Sequence, residues 1–277
     1  MSGLNAPRLP SDETGARGGA RLLRLLLPIV VLAAGVTVWD LAVRLNQIPP
    51  YVLPGPGLVL RTLIADWPVL SASLVTTLWT TLEGFLAAAL GGIALALLFN
   101  QSKWLEYSLF PYAVVLQVTP VIAVAPLLLI YLPQETAVIV CAWIVAFFPV
   151  LANTTLGLNS VDRKLAGLFQ LYGASPLQTL VRLKLPAALP YILGGLRIAG
   201  GLSLLGAVVA EIAAGSAGAG SGLAYRIAES SYRLNIPRMF AALLLLSAAG
   251  IVIYVLLALA SHLLLRRWHE SALGKDN

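Results

Sequence analysis

Six long apolar stretches constrain this chain more than any other feature. They fall at about residues 22–43, 74–99, 109–131, 137–156, 187–214 and 240–264, and shorter segments between them carry most of the charge. About 20 apolar residues coiled as a helix match the hydrocarbon thickness of a bilayer. Inside hydrocarbon every peptide N–H and C=O must find its partner within its own segment, so these stretches are predicted to be helices. Composition agrees, because 59% hydrophobic and 11% charged residues would leave a soluble domain short of polar surface. The expected fold is all-α, a polytopic transmembrane bundle of about six spans.

The intervening segments complete the topology. Residues 1–20 lack a periodic apolar pattern and read as a disordered tail, leaving 21–277 as the transmembrane domain. The tail has no apolar run of the kind a cleaved leader carries, and the stretch after it is long enough to remain as an anchor. Residues 44–72 hold five prolines between Pro49 and Pro68 and are expected to form an external loop with a short surface helix. A second external loop, 215–238, is glycine-rich and then polar. The third stretch contains Pro111, Pro120 and Pro126, which membrane helices tolerate when neighbours satisfy the freed carbonyls. Gly91-Gly92, Gly194-Gly195 and Gly200-Gly201 place small residues where helices can approach closely.

Charge tests the orientation. With six spans, both termini and the 157–186 segment share one side, and that side carries thirteen of the 18 Lys and Arg residues. Basic residues accumulate on the cytoplasmic face, so the termini are expected inside. The excess over 12 acidic residues is therefore a topological signal, with lipid as the surrounding partner and no nucleic acid.

The longest interior segment that is not a span is 160–186. Asp162 can cap a helix whose apolar residues Leu165, Leu168, Phe169 and Tyr172 share one face. Gly173 can take the left-handed conformation that ends it. Ser175, Pro176 and Gln178 then have the spacing of an N-cap, a first helical position and a capping box. The second helix is expected to run to about Lys184 and to be broken by Leu185-Pro186. Such a hairpin can bury its apolar face in another protein or fold it back on its own spans and the bilayer; periodicity alone leaves both open.

This segment resembles the cytoplasmic coupling loop of the permease subunits of ABC importers. The motif there is Glu-Ala-Ala, three residues, Gly, nine residues, an aliphatic residue, any residue, then Leu-Pro. Gly173, Leu183, Leu185 and Pro186 stand at matching positions, while Gly167-Leu168-Phe169 takes the place of the Glu-Ala-Ala triplet. The resemblance covers roughly residues 50–270. Tyr51-Val-Leu-Pro-Gly-Pro56 resembles the start of the transport domain. Pro186 through Arg197, followed by Val209-Ala-Glu211, resembles the nitrate, sulfonate, taurine and bicarbonate branch. Gln117 through Pro126 and Leu171 through Ser175 resemble permeases for thiamine-precursor pyrimidines or riboflavin. The resemblance implies a homodimer, a separate cytoplasmic ATPase subunit, an extracytoplasmic substrate-binding protein, and a location in the bacterial inner membrane.

The chain itself is not expected to be an enzyme or to hold a cofactor. It has no Gly-x-x-x-x-Gly-Lys-Ser/Thr phosphate loop, and the glycine run 215–222 follows a span and lacks a lysine. His262 and His269 have no ligand partners in the sequence, and Cys141 stands alone in an apolar run. Candidates for the solute path are polar residues at membrane depth. Gln117 and Thr119 beside Pro120 can either offer hydrogen bonds to a solute or satisfy the backbone around a kink. Glu211 can pair with Arg226 or gate a cavity. Glu83 and Asp40 are expected near the external interface. Arg197 is expected to snorkel to the cytoplasmic one. A gradient-driven secondary transporter is the rival reading, but the inverted repeats and carboxylate clusters typical of that class are not evident.

Overall fold

A computed structural model describes residues 13–215 and 220–266, with side chains from Leu26 onward. The expected tail over residues 1–12, His269 and part of the glycine run lie outside the described residues. The first span lies in α1, Glu13–Leu45, whose helix reaches back beyond the expected start at 22. The prolines of the following loop place α2, Pro56–Ala65, where a short surface helix is expected. Pro68 then sits in the first turn of α3, Trp67–Gln101, where a missing N–H costs nothing.

The third apolar stretch is not one straight helix. It forms α4, Lys103–Val118, and α5, Val121–Tyr131, bent by 97° at Thr119-Pro120. Pro111 and Pro126 remain inside their helices. Pro120 breaks the chain because Thr119 before it takes the extended backbone that a following proline favours, φ −71° and ψ 122°.

Next come α6, Gln134–Asn159, and α7, Arg163–Leu171, then α8, Pro176–Thr179, which leads through a π turn at Leu180–Lys184 into α9, Leu185–Ala214. Expected as loop, residues 223–232 instead form the helix α10, Leu223–Tyr232. The last span is α11, Ile236–Leu265. Among the described residues five helices are long and apolar enough to cross a membrane, six if the bent α4–α5 pair counts as one span.

The core is the triangle of α3, α6 and α9. Half of the most apolar window of α6 and of the Pro176–Ala214 helix is buried, against none for α1. Close approach explains the glycines: a Cβ on Gly84 would sit 2.5 Å from that of Ala142, and one on Gly206 would lie 2.6 Å from the Cys141 carbonyl. Gly91 and Gly92 both meet α6, but the other two expected pairs split, since neighbours on a helix point about 100° apart. Gly92, Gly195 and Gly200 are at contacts, while Gly194 and Gly201 meet nothing within 4 Å. At the end of the bundle nearer α7, Phe99, Phe110 and Phe148 stack at 6.4 and 5.9 Å around Val150 and Leu151. At the opposite end, Leu70 and Leu223 close a smaller cluster over α2 and α11, and Arg238 Nε donates to Asp66 Oδ2 at 2.6 Å.

Candidate functional site

The 160–186 hairpin forms from local signals. Asp162 Oδ1 accepts the Lys164 N–H at 2.8 Å and starts α7. Gly173 has φ +70°, and the Gly173 and Ala174 N–H groups donate to the Gln170 and Phe169 carbonyls at 3.0 Å, which closes the helix end. The capping box is complete: Ser175 Oγ accepts from Gln178 N at 3.2 Å, and Gln178 Oε1 accepts from Ser175 N at 2.8 Å. Pro176 follows at the first helical position.

The expected break at Leu185-Pro186 is absent. The helix widens to a π turn, with the Leu185 N–H bonded to the Leu180 carbonyl, and continues as α9. A wider turn absorbs the proline that would otherwise crowd the carbonyl one turn back. Leu185 and Pro186 therefore belong to the half-buried root of a continuous helix, not to the surface hairpin.

On that hairpin Leu165, Leu168 and Tyr172 are exposed and Phe169 is half-buried. The apolar face is thus not folded back on the protein's own spans. Leu171, 87% exposed, and Leu177, 68%, extend it and were missed by sequence reasoning, although Leu171 lies three residues after Leu168. Lys184 Nζ donates to Asn100 Oδ1 at 3.1 Å and ties the hairpin root to the end of α3. Between them lies a cleft of about 580 Å³ lined by Gln101, Gln170, Leu177 and Thr179.

The pathway candidates divide. Thr119 Oγ1 donates to the Val115 carbonyl at 2.7 Å, so it satisfies the backbone beside the break. Gln117 is exposed and has no hydrogen bond among the described residues. Glu211 is 3% exposed and enclosed. Its Oε1 accepts from Thr77 Oγ1 at 2.8 Å and its Oε2 from Ala224 N at 3.0 Å, while Leu223 N donates to Thr77 Oγ1 at 2.8 Å. Two spans and the start of α10 meet at this one carboxylate. The pairing with Arg226 does not form: Arg226 bonds Glu229 at 2.9 Å and Ser73 at 3.1 Å, within closer reach on its own helix and on α3. Asp40 pairs with Arg44 at 2.7 Å. Arg197 is half-buried, and its Nε is buried without a hydrogen-bond partner among the described residues. No group of three or more metal-ligating side chains occurs among the described residues.

Comparison with known proteins agrees with this architecture. The chain is 34% identical to the riboflavin transport system permease protein RibX of Chloroflexus aurantiacus, over 88% of this chain and 90% of that protein. It is 32% identical to the formylaminopyrimidine transport permease protein ThiX of Halalkalibacterium halodurans, over 84% and 92%. It is also 32% identical to the putative aliphatic sulfonates transport permease protein SsuC of Bacillus subtilis, over 82% and 80%. A solved amino acid ABC transporter with histidines shares the fold, with a TM-score of 0.59, 21% identity, and coverage of 72% of this chain and 95% of that one. Residues 88–269 match the model of the binding-protein-dependent transport system inner membrane component, and the chain belongs to that family of multi-pass ABC importer permeases.

Proposed function

We propose that two copies of this chain form the path of an ATP-driven importer, with the termini in the cytoplasm of a bacterial cell and the 160–186 hairpin seated on a separate ATPase subunit. The observation that carries this reading is the hairpin itself. It is capped at both helix starts by its own side chains, and its apolar residues Leu165, Leu168, Leu171 and Tyr172 remain uncovered. A preformed helix with a bare apolar face suits a groove in another protein, and rigid roots at Leu180 and Lys184 can pass movement of that partner to α9. ATP-driven closure of two ATPase subunits would draw the hairpins together and turn the cavity outward; hydrolysis would reset it. An extracytoplasmic binding protein would deliver the solute to the external face, where α2 and α10 lie. The solute class is a small polar or anionic compound, sulfonate-, nitrate- or taurine-like, or a thiamine-precursor pyrimidine or riboflavin; relatives are named for sulfonates, nitrate, formylaminopyrimidine and riboflavin.

Reconstitution in proteoliposomes with the ATPase and binding protein tests this. The expected result is ATP-dependent uptake that survives collapse of the proton gradient, with a thiol crosslink from Leu168→Cys to the ATPase. Uptake that needs the gradient and not ATP would establish the secondary-transporter reading instead.

A further inference from the structure

Glu83 is an ionisable residue that neither the latch at Glu211 nor the hairpin uses. It sits near the middle of α3, about 24 Å along the helix from Trp67 and about 27 Å from Gln101, rather than at the expected external interface. It is half-buried and makes no hydrogen bond or ion pair among the described residues. A carboxylate at that depth is costly against lipid, and such residues face the bundle interior or a water-filled cavity.

Its direction follows from its neighbours. The Thr81 carbonyl accepts the Ser203 hydroxyl at 2.9 Å, so Thr81 faces α9. Two residues further turn the helix by about 200°, which points Glu83 away from α9 and from the Arg197 guanidinium on it. Gly84 packs on Ile139, Ala142 and Trp143 of α6, which sets the level. On α4, Phe110 stacks on Phe148 at 5.9 Å, and Thr119 lies nine residues further along, about 14 Å, which brings it to the level of Ile139. The helix α4 packs on both α3 and α6. By helix rise, Glu83 and the segment from the exposed Gln117 to the break at Thr119-Pro120 both fall at about the level of Ile139 on α6. Irregular backbone at membrane depth is tolerated where it is buried in protein or lines a water-filled cavity, and the exposure of Gln117 and Pro120 at this break favours the cavity.

We propose that this side of the bundle lines the solute path and that Glu83 selects by charge, favouring a solute with a protonated amine or an amino-heterocycle over nitrate or a sulfonate. The assignment rests on the importer reading and narrows its solute class. A fixed negative charge in a low-dielectric passage attracts cationic groups and hydrogen-bond donors and repels anions.

The test needs no knowledge of the solute. Ala87, exposed one turn along from Glu83, is replaced by cysteine in the complete importer with its ATPase and binding protein in proteoliposomes. The native Cys141 is 0% exposed and supplies the unlabelled baseline. Charged, water-borne methanethiosulfonates are expected to modify Ala87→Cys, the cationic reagent about tenfold faster than the anionic one, because the carboxylate is only about 6 Å away. In the Ala87→Cys, Glu83→Gln double variant that preference is expected to vanish. Labelling only by a lipid-soluble maleimide, or equal rates for the two charged reagents, overturns the Glu83 assignment while binding-protein-stimulated ATP hydrolysis in the same vesicles leaves the importer reading standing. Absence of stimulated hydrolysis in the unsubstituted complex overturns the importer reading itself.

Discussion

The two ends of α9 are held by different physics. At its C-terminal end, which the proposed topology puts outside, Glu211 joins α3 and the start of α10 through a buried carboxylate that accepts from Thr77 and Ala224. At its N-terminal end, which that topology puts in the cytoplasm, the hairpin satisfies its helix termini from within residues 162–178, through Asp162, Gly173, Ser175 and Gln178. One end keeps its shape only because distant segments meet; the other keeps it with its faces bare. The difference separates anchoring from docking: a locked external end gives α9 a fixed point, and a self-sufficient hairpin leaves apolar surface free for a partner.

The external lock should be the more damaging to break. Glu211→Ala leaves the Thr77 hydroxyl and the Ala224 N–H without their buried acceptor. Each unsatisfied buried donor costs about 1–3 kcal/mol, so about 4 kcal/mol is expected in all. The melting temperature in detergent should fall by about 10 °C, and trypsin should gain access at the half-buried Arg226 of α10. An unchanged melting curve would show that the carboxylate is incidental to the fold. Gly222→Ala attacks the same point without touching the acid. A Cβ there would collide with the Glu211 carboxylate, and displacing it should cost about 2 kcal/mol with the same tryptic pattern. If Gly222→Ala instead behaves like the unsubstituted protein, α10 is free to shift and the contrast between the two ends weakens.

The same contrast decides what the sequence discloses. Caps, a left-handed glycine and a 3.6-residue apolar period are local, so the hairpin from Asp162 to Gln178 was legible, boundaries included. Its continuation was not, because whether Pro186 breaks a helix or is absorbed by a π turn depends on the bundle that grips Leu180 and Leu185. The spans were legible from hydropathy, but the 97° bend was not distinguished from a tolerated kink, since Pro111, Pro120 and Pro126 look alike in sequence. Of the two roles open to Glu211 in the sequence, pairing with Arg226 does not form. The true donors, Thr77 and Ala224, lie 134 and 13 residues away and carry no charge to advertise them. Glu83 was placed by assuming that a charge lies near an interface, whereas it falls near the middle of the 35-residue α3, which hydropathy alone did not delimit.

At the cytoplasmic end smaller effects on stability should have larger effects on coupling. Gly173→Pro removes the N–H that bonds the Gln170 carbonyl and forbids φ +70°. The hairpin turn should be lost, at a cost of about 3 kcal/mol confined to it. Membrane insertion and the melting temperature of the bundle should be retained while ATP-driven uptake disappears. Uptake at the unsubstituted rate would count against the hairpin as a lever.

The mildest change is the most discriminating. Ser175→Ala removes an oxygen that accepts from Gln178 N, and N-cap losses of this kind cost about 1 kcal/mol. At that size the correctly turned hairpin becomes roughly fivefold less favoured relative to frayed forms, and a partner that binds only the turned form should bind about fivefold more weakly. Titrating the purified ATPase onto the reconstituted permease reads this directly, with thermal stability as the control that should not move. Ser175→Asp keeps an accepting oxygen at the cap and should restore the affinity. Equal loss in both variants would mean that the ATPase contacts the serine hydroxyl itself, and the hairpin's self-sufficiency would no longer be what prepares it for docking.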